Sequence, residues 1–258
     1  DVYQTGVSHQ HNISASGGSE KLTYYTSFNY LNNPGILENM GYEKFSLRAN
    51  IDSQLKDWLK VGVNMSGYVA NTTPVTENLD DIYTYGLTGG VADLDDQNRL
   101  GINANPEDDP QNATNNPYNR LRNVTGNIDM NSMKTRLYAI LTPLKGLTIQ
   151  GSYTYDYYDK KKVSKPNFVP LYNFQTGALY SDGVGQTSIT NYSEKTIRNF
   201  MDATARYERN FFDDRLSATL MVGASQEQYK YSDFGVTRKD LIDPSLGVVE
   251  GAYGDYSG

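Results

Sequence analysis

The chain has 258 residues and a net charge of −7, a balance that argues against nucleic acid as a partner, because phosphate binding needs a basic surface. It has no cysteine, so neither disulfides nor thiolate chemistry enter, which is neutral about compartment. Mean hydropathy is −0.62 and no stretch approaches the roughly 18 apolar residues of a membrane helix, yet a membrane barrel stays open, since only alternate strand residues need be apolar.

No signal peptide opens the chain and it starts at Asp1, so it reads as an internal fragment or a processed product. Successive strand side chains point to opposite faces, and a period of two therefore marks a strand. His9, His11, Ile13 and Ala15 alternate weakly with Gln10, Asn12, Ser14 and Ser16. Residues 17–21 make a short turn whose paired glycines supply positive φ. Leu22, Tyr24, Thr26, Phe28 and Tyr30 give the apolar face of a second strand, which Asn32-Asn33-Pro34-Gly35 breaks.

The clearest stretch runs from Tyr42 to Tyr68. Phe45, Leu47, Ala49 and Ile51 alternate with Lys44, Ser46, Arg48, Asn50 and Asp52 on one arm. Leu59, Val61, Val63, Met65 and Gly67 alternate with Lys60, Gly62, Asn64 and Ser66 on the other, with room for only a tight turn at 54–58. A soluble two-layer sheet could carry such a pattern, and so could a barrel wall with lipid outside and water inside.

From Asn71 to about Asn131 periodicity lapses in a run of Asn, Asp, Pro, Thr and Gly, read as a loop far beyond ordinary length and hence functional or disordered. Met133, Thr135, Leu137, Ala139 and Leu141 form a fifth strand; 143–146 turns it; Leu147, Ile149, Gly151, Tyr153, Tyr155 and Tyr157 return. A second long loop is expected from about Lys160 to Glu194. Ile197, Met201, Ala203, Ala205 and Tyr207 make the seventh strand, residues 210–214 a turn, and Leu216, Ala218, Leu220, Val222 and Ala224 the eighth. A polar, Gly-rich tail is expected from Ser232. Connections thus alternate strictly between short and long, the asymmetry of outer-membrane barrels, with short periplasmic turns and long extracellular loops.

Tyrosine is abundant, at 22 residues against 8 Phe and 1 Trp. Tyr30, Tyr155 and Tyr157 have lipid-face parity near the long-loop end, where an aromatic girdle lies. Tyr42, Tyr68, Tyr229 and Tyr231 have the opposite parity and should face the lumen, and Trp58 and Phe211 sit at the short-turn end. Lys44, Arg48, Asp52, Lys60, Arg136, Asp156, Arg198, Asp202 and Arg206 share one face, a wet wall on which charges of both signs would pair laterally.

Catalytic signals are absent: there is no nucleophile elbow and no Gly-rich phosphate loop. His9 and His11, the only histidines, are two ligands on one strand, a weak metal case. The acidic run from Glu77 to Asp109 contains Asp93-Leu94-Asp95-Asp96-Gln97-Asn98, which opens like a calcium loop but lacks the glycine at position six and the glutamate at twelve. Triplets such as Asn112-Ala113-Thr114 are chance matches in an Asn-rich chain.

Several segments taken together resemble the SusC/RagA-type TonB-linked outer-membrane proteins. They are His11-Asn12-Ile13-Ser14-Ala15-Ser16-Gly17-Gly18-Ser19 followed by Phe28-Asn29-Tyr30, then Pro34-Gly35-Ile36-Leu37, Tyr42-Glu43-Lys44-Phe45-Ser46-Leu47-Arg48, Leu55-Lys56-Asp57-Trp58-Leu59-Lys60-Val61-Gly62, and Asn116-Pro117-Tyr118. The resemblance is densest over 9–70 and 115–160. It implies an all-β, antiparallel transmembrane β-barrel segment, about eight strands of a 22-stranded barrel, with residues 1–258 part of a receptor barrel domain whose plug and last strands lie elsewhere. Two unpaired edges would leave such a piece unstable alone. It further implies no enzyme and no cofactor, but import of an oligosaccharide or peptide across the Gram-negative outer membrane, with a SusD-like surface lipoprotein and the TonB complex as partners. The other reading is a soluble or surface β-sandwich that binds carbohydrate, whose apolar face would bury against a second sheet. Substrate contacts are expected from the loops at 71–130 and 159–194, with no individual substrate residue or metal ligand assigned.

Overall fold

The computed structural model describes residues 4–37, 39–73, 99–102, 121–122, 124–166, 169–174, 176–181, 188–212, 215–242 and 248–257. The strands are β1 (His9–Gly18), β2 (Leu22–Pro34), β3 (Gly41–Lys56), β4 (Leu59–Thr73), β5 (Leu100–Gly101), β6 (Val124–Leu144), β7 (Leu147–Pro166), β8 (Leu171–Asn173), β9 (Ala178–Ser181), β10 (Ser188–Phe211), β11 (Leu216–Lys239) and β12 (Tyr256–Ser257). Nine of them form one sheet in the order β1-β2-β3-β4-β6-β7-β10-β11-β12; the short β5, β8 and β9 form a second. Every neighbouring pair in the large sheet is antiparallel.

Because each long strand pairs with the next, all short turns lie at one end of the sheet and all long connections at the other. The short turns are 19–21, 57–58, 145–146 and 212–215; the long connections are 35–40, 74–123, 167–187 and 240–255. Residues 57–58 and the connection after β4 therefore sit at opposite ends, as the alternation of short and long connections read from the sequence requires. Gly146 holds φ at +86°, a backbone that strains other residues, and this lets β6 return as β7 through Lys145 and Gly146. Its carbonyl also accepts the Glu208 amide of β10 at 2.8 Å.

The strands are longer than their apolar runs. β6 already begins at Val124, β7 continues to Pro166 and β10 starts at Ser188, so the loops expected from 71 to 131 and from 160 to 194 are too long at their edges. The tail expected from Ser232 is also corrected: β11 runs on to Lys239, and Tyr256–Ser257 adds the opening of a ninth strand against Thr237 and Arg238. The reason is physical. The β7 and β10 extensions carry polar residues on both faces, and on β6 the period inverts, with Val124, Ile128 and Met130 on the charged face. No apolar face continuous with those runs therefore marks them, although the backbone ladder continues.

The spanning part of the sheet has no hydrophobic core. Among the described residues, buried apolar clusters lie at the long-loop end: Ile189 with Leu241, Val249 and Ala252; Leu37 with Leu121; and Val169 with Leu171. The first forms where Leu241, Val249 and Ala252 pack over Val163, Ile189 and Val236, and the Arg238 guanidinium donates to the Gly254 carbonyl at 3.0 Å. Elsewhere one face stays apolar and uncovered, with Leu47 50%, Val69 52%, Leu137 48% and Met201 51% exposed. A sandwich needs a second sheet over that face, and among the described residues none lies there. The outer strands are open too: every residue of β1 is exposed, as is nearly all of β11.

Candidate functional site

The candidate functional element is the wall itself, and its two faces are set by register. On the apolar face Leu22 of β2 is level, through Ser53, Val61, Ala139, Gly151 and Ala203, with Ala224 of β11. Leu22 is the first residue of its strand, whereas Ala224 lies eight residues beyond Leu216, the first of β11. At about 3.3 Å per residue and 4.8 Å per interstrand step, eight residues over six steps is a slope of roughly 43°. That lies within the strand tilt of outer-membrane barrels, about 35–45°.

The apolar run obeys the same slope. On β2 it extends from Leu22 to Tyr30, then gives way to Asn32; on β11 it extends from Leu216 to Ala224, then gives way to Gln226, Gln228 and Lys230. Both runs cover the same span of sequence, displaced by the shear. At this tilt their height is roughly 20 Å, close to the apolar band of about 25 Å that faces lipid in such barrels. Water would penalise this face; hydrocarbon would not.

Aromatic rings mark the upper edge of the band. Tyr30 packs on Phe45 with ring centroids 4.7 Å apart, and His9 and His11 join it at 5.8 and 6.3 Å. The Tyr30 hydroxyl donates to Glu43 at 2.8 Å. The two histidines therefore extend an aromatic patch on the apolar face, and among the described residues no group of three potential ligands forms around them. Tyr155 and Tyr157 share this face farther along, with the Lys195 ammonium 5.5 Å from the Tyr157 ring. Trp58 and Phe211 stand at the opposite, short-turn end.

The other face carries all nine charged residues read from the sequence, sorted by height. Low on the wall, near the short turns, the charges are closed: Asp52 takes Lys60 at 3.3 Å and the Tyr138 hydroxyl, and Arg206 meets Glu208 of its own strand at 2.8 Å. A methyl group at Gly62 would overlap the Tyr138 ring, so glycine there makes room for this contact.

Higher up, level with the upper edge of the apolar band and above it, the pairing is incomplete. Arg48, Ser66, Lys134, Asp156 and Arg198 stand in one row across five strands, and Asn64, Arg136, Thr154, Phe200 and Glu227 in the next. Lys134 reaches Asp156 at 3.7 Å and Arg198 reaches Glu227 at 2.6 Å, while Asp202 accepts the Ser152 hydroxyl. Among the described residues no carboxylate lies within 4 Å of Lys44, Arg48 or Arg136. Lys44 instead lies over the Tyr68 ring, 4.2 Å from its centroid, and Arg136 beside Tyr138 at 5.7 Å. Lateral pairing thus holds for part of this face only.

Tyr42, Tyr68, Tyr229 and Tyr231 do point to this wet face. Sequence reasoning missed Tyr158 and Tyr192, which join them: Tyr158 stands in the row of Tyr68 and Tyr231, and the Tyr192 hydroxyl is 3.4 Å from that of Tyr231. Their alternation was legible only once the strands were known to run past residue 157. The two long connections also meet. β5 pairs in parallel with β8, Ile102 donates its amide to the Tyr172 carbonyl at 3.0 Å, and Arg99 lies 4.6 Å from the Tyr172 ring. The calcium-like segment 93–98, the other acids from Glu77 to Asp109, and Asn112 and Asn116-Pro117-Tyr118 lie outside the described residues.

An antiparallel meander with a slanted apolar band on one face, a charged and tyrosine-lined wall on the other, and connections sorted by length defines a class: the wall of a transmembrane β-barrel. No family model matches the chain. It is similar to TonB-dependent receptor P26 of Formosa agariphila, 44% identical over 54 residues that make up 21% of this chain and 6% of that protein. It is also similar to TonB-dependent receptor P3 of the same organism, 32% identical over 91 residues, 35% of this chain and 8% of that one. In fold it matches the RagAB peptide transporter, with a TM-score of 0.73 at 19% identity over 98% of this chain and 28% of that one. The RagAB peptide importer in its open-open state gives 0.74 at 19% identity, over 98% and 27%. The chain has the fold of a barrel-wall segment like those of the RagAB structures, and short stretches of it are similar to TonB-dependent receptors. It spans less than a tenth of the curated relatives' length.

Proposed function

We propose that residues 1–258 form part of the barrel domain of a TonB-dependent importer in the Gram-negative outer membrane, which takes up an oligomeric nutrient. The observation that carries this reading is the two-faced wall: one face fits only hydrocarbon, while the other offers water-facing charges and tyrosines along the whole depth of the band. The relatives named as TonB-dependent receptors support energised uptake in preference to passive diffusion. The wall positions and lines a path; it performs no bond chemistry, and its charged groups are distributed without the convergence of nucleophile, base and orienting group that catalysis needs.

In this reading the long connections face outward, where a nutrient and a SusD-like surface lipoprotein arrive, and a plug contributed by another part of the protein transmits the TonB force. The pairing of β5 with β8 supports joint action of the two longest connections. Replacing residues 75–125 in the full-length protein with a short Gly-Ser linker should leave the barrel assembled, because loop length alone changes closure entropy little. Growth on the cognate nutrient and co-purification of the lipoprotein should fall at unchanged surface level. Parental growth and partner recovery would contradict a recognition role for this loop.

A further inference from the structure

The uneven pairing of charges on the wet face points to the chemistry of the cargo. The chain as a whole is acidic, with a net charge of −7. Yet of the nine charged wall residues the cations without a carboxylate within 4 Å among the described residues, Lys44, Arg48 and Arg136, stand on its upper part. Lys44 and Arg48 of β3 and Arg136 of β6 line this wall with Lys134 between them. A concavity in the same wall combines Lys44, Arg48 and Lys134 with Tyr25, Tyr68 and a floor of Ser and Asn side chains from β1 to β6. Asp156 is its one acidic member and is already engaged by Lys134.

Each component selects a ligand property. Guanidinium and ammonium groups form strong charge-assisted hydrogen bonds to carboxylate or sulfate oxygens. Tyrosine faces carry negative quadrupole potential and suit the positively polarised C–H face of a sugar ring. Hydroxyl and amide side chains match a ligand rich in hydroxyls, whereas Leu47 and Gly67 are the only apolar members of the concavity and offer little to peptide side chains. We propose that the upper wall binds an anionic oligosaccharide, with its carboxylate or sulfate groups on Lys44, Arg48 and Arg136 and its rings against Tyr25 and Tyr68. This rests on the importer reading and names its substrate class.

The test is calorimetric titration of the purified full-length protein, in which the chain's own acidic segments remain present as competitors. The probes are dextran sulfate oligomers, unsulfated dextran of the same length and oligoglutamate. Dextran sulfate should bind more tightly than the other two and lose affinity between low and physiological salt, where charges are screened beyond about 8 Å. Arg48→Gln and Arg136→Gln should each weaken it about threefold to tenfold, the loss of one charge-assisted contact. Lys60→Gln, low on the wall, should leave the affinity within twofold. Heat-modifiability of each variant verifies folding. Equal binding of plain dextran, preference for oligoglutamate, or parental affinity in the folded Arg48 and Arg136 variants would each overturn the proposal. Binding in detergent needs no energised uptake, so such a result leaves the growth test of import standing, and loss of the importer reading leaves the measured affinity standing.

Discussion

The two faces of the same strands are governed by different rules. On the apolar face identity hardly matters: Leu22, Val63, Leu137 and Leu220 are interchangeable in kind, and what matters is the height at which each row enters or leaves the band. On the wet face height sorts chemistry. Low down, Asp52, Lys60 and Tyr138 close on one another; higher up, Arg48 and Arg136 are left without a carboxylate within 4 Å among the described residues. The difference teaches that lipid imposes a single requirement, whereas a wet face can close its charges in pairs at one level and leave them open at another.

The largest effect expected from breaking this division is on the apolar face. Val63 lies in the middle of the band, and Val63→Arg should destabilise the full-length barrel by about 2–4 kcal/mol. Measured as the urea midpoint of the folded, heat-modifiable form in bilayers, a shift below a few tenths of a kcal/mol would remove lipid from that face. Next is the turn at Gly146. Its φ of +86° makes Gly146→Ala cost about 1–2 kcal/mol, with the added Cβ pressing on the Glu208 carbonyl; the same denaturation assay reads it.

The low closed pair is worth less. Asp52 and Lys60 are both partly exposed, at 33% and 39%, so Asp52→Asn should cost about 0–1 kcal/mol, and less at high salt. A loss above about 3 kcal/mol would mean that the group is buried in the intact protein. The smallest effect belongs to Asn64→Arg, one residue from Val63 on the wet face, which should change stability by no more than about 0.5 kcal/mol. Equal effects at 63 and 64 would erase the distinction between the faces.

Within the bilayer band the sequence was readable residue by residue. Leu59 to Gly67 alternate because lipid and water lie on opposite sides, and every turn between adjacent long strands follows from where that alternation stops. Above the band both faces are wet, and from Thr125 to Asn131 the alternation inverts, with Gly126, Ile128 and Met130 on the charged face and Asn127, Asp129 and Asn131 on the other, so the stretch looked like loop. Polar residues on both faces likewise hid Tyr158 and Tyr192 on the wet wall, and no period marked Leu241, Val249 and Ala252, which pack on Ile189. The charged face was legible as a face, but not its pairing. Whether a lysine finds a carboxylate depends on which residues of the neighbouring strand come level with it, and the alternation within one strand carries no register between strands.

The slant of the band is the most direct consequence of reading this sheet as a barrel wall. Leu22 and Ala224 share one row of the sheet, yet the tilt puts them at opposite edges of the hydrocarbon, with Tyr30 level with Ala224 in depth. Nitroxide labels at 22, 30 and 224 of the full-length protein in bilayers, with depth taken from the balance of oxygen and nickel-chelate collision rates, separate these geometries. The expected result is equal depth for 30 and 224, with 22 near the opposite edge, roughly 20 Å away. Equal depth for 22 and 224 would contradict a tilted transmembrane wall.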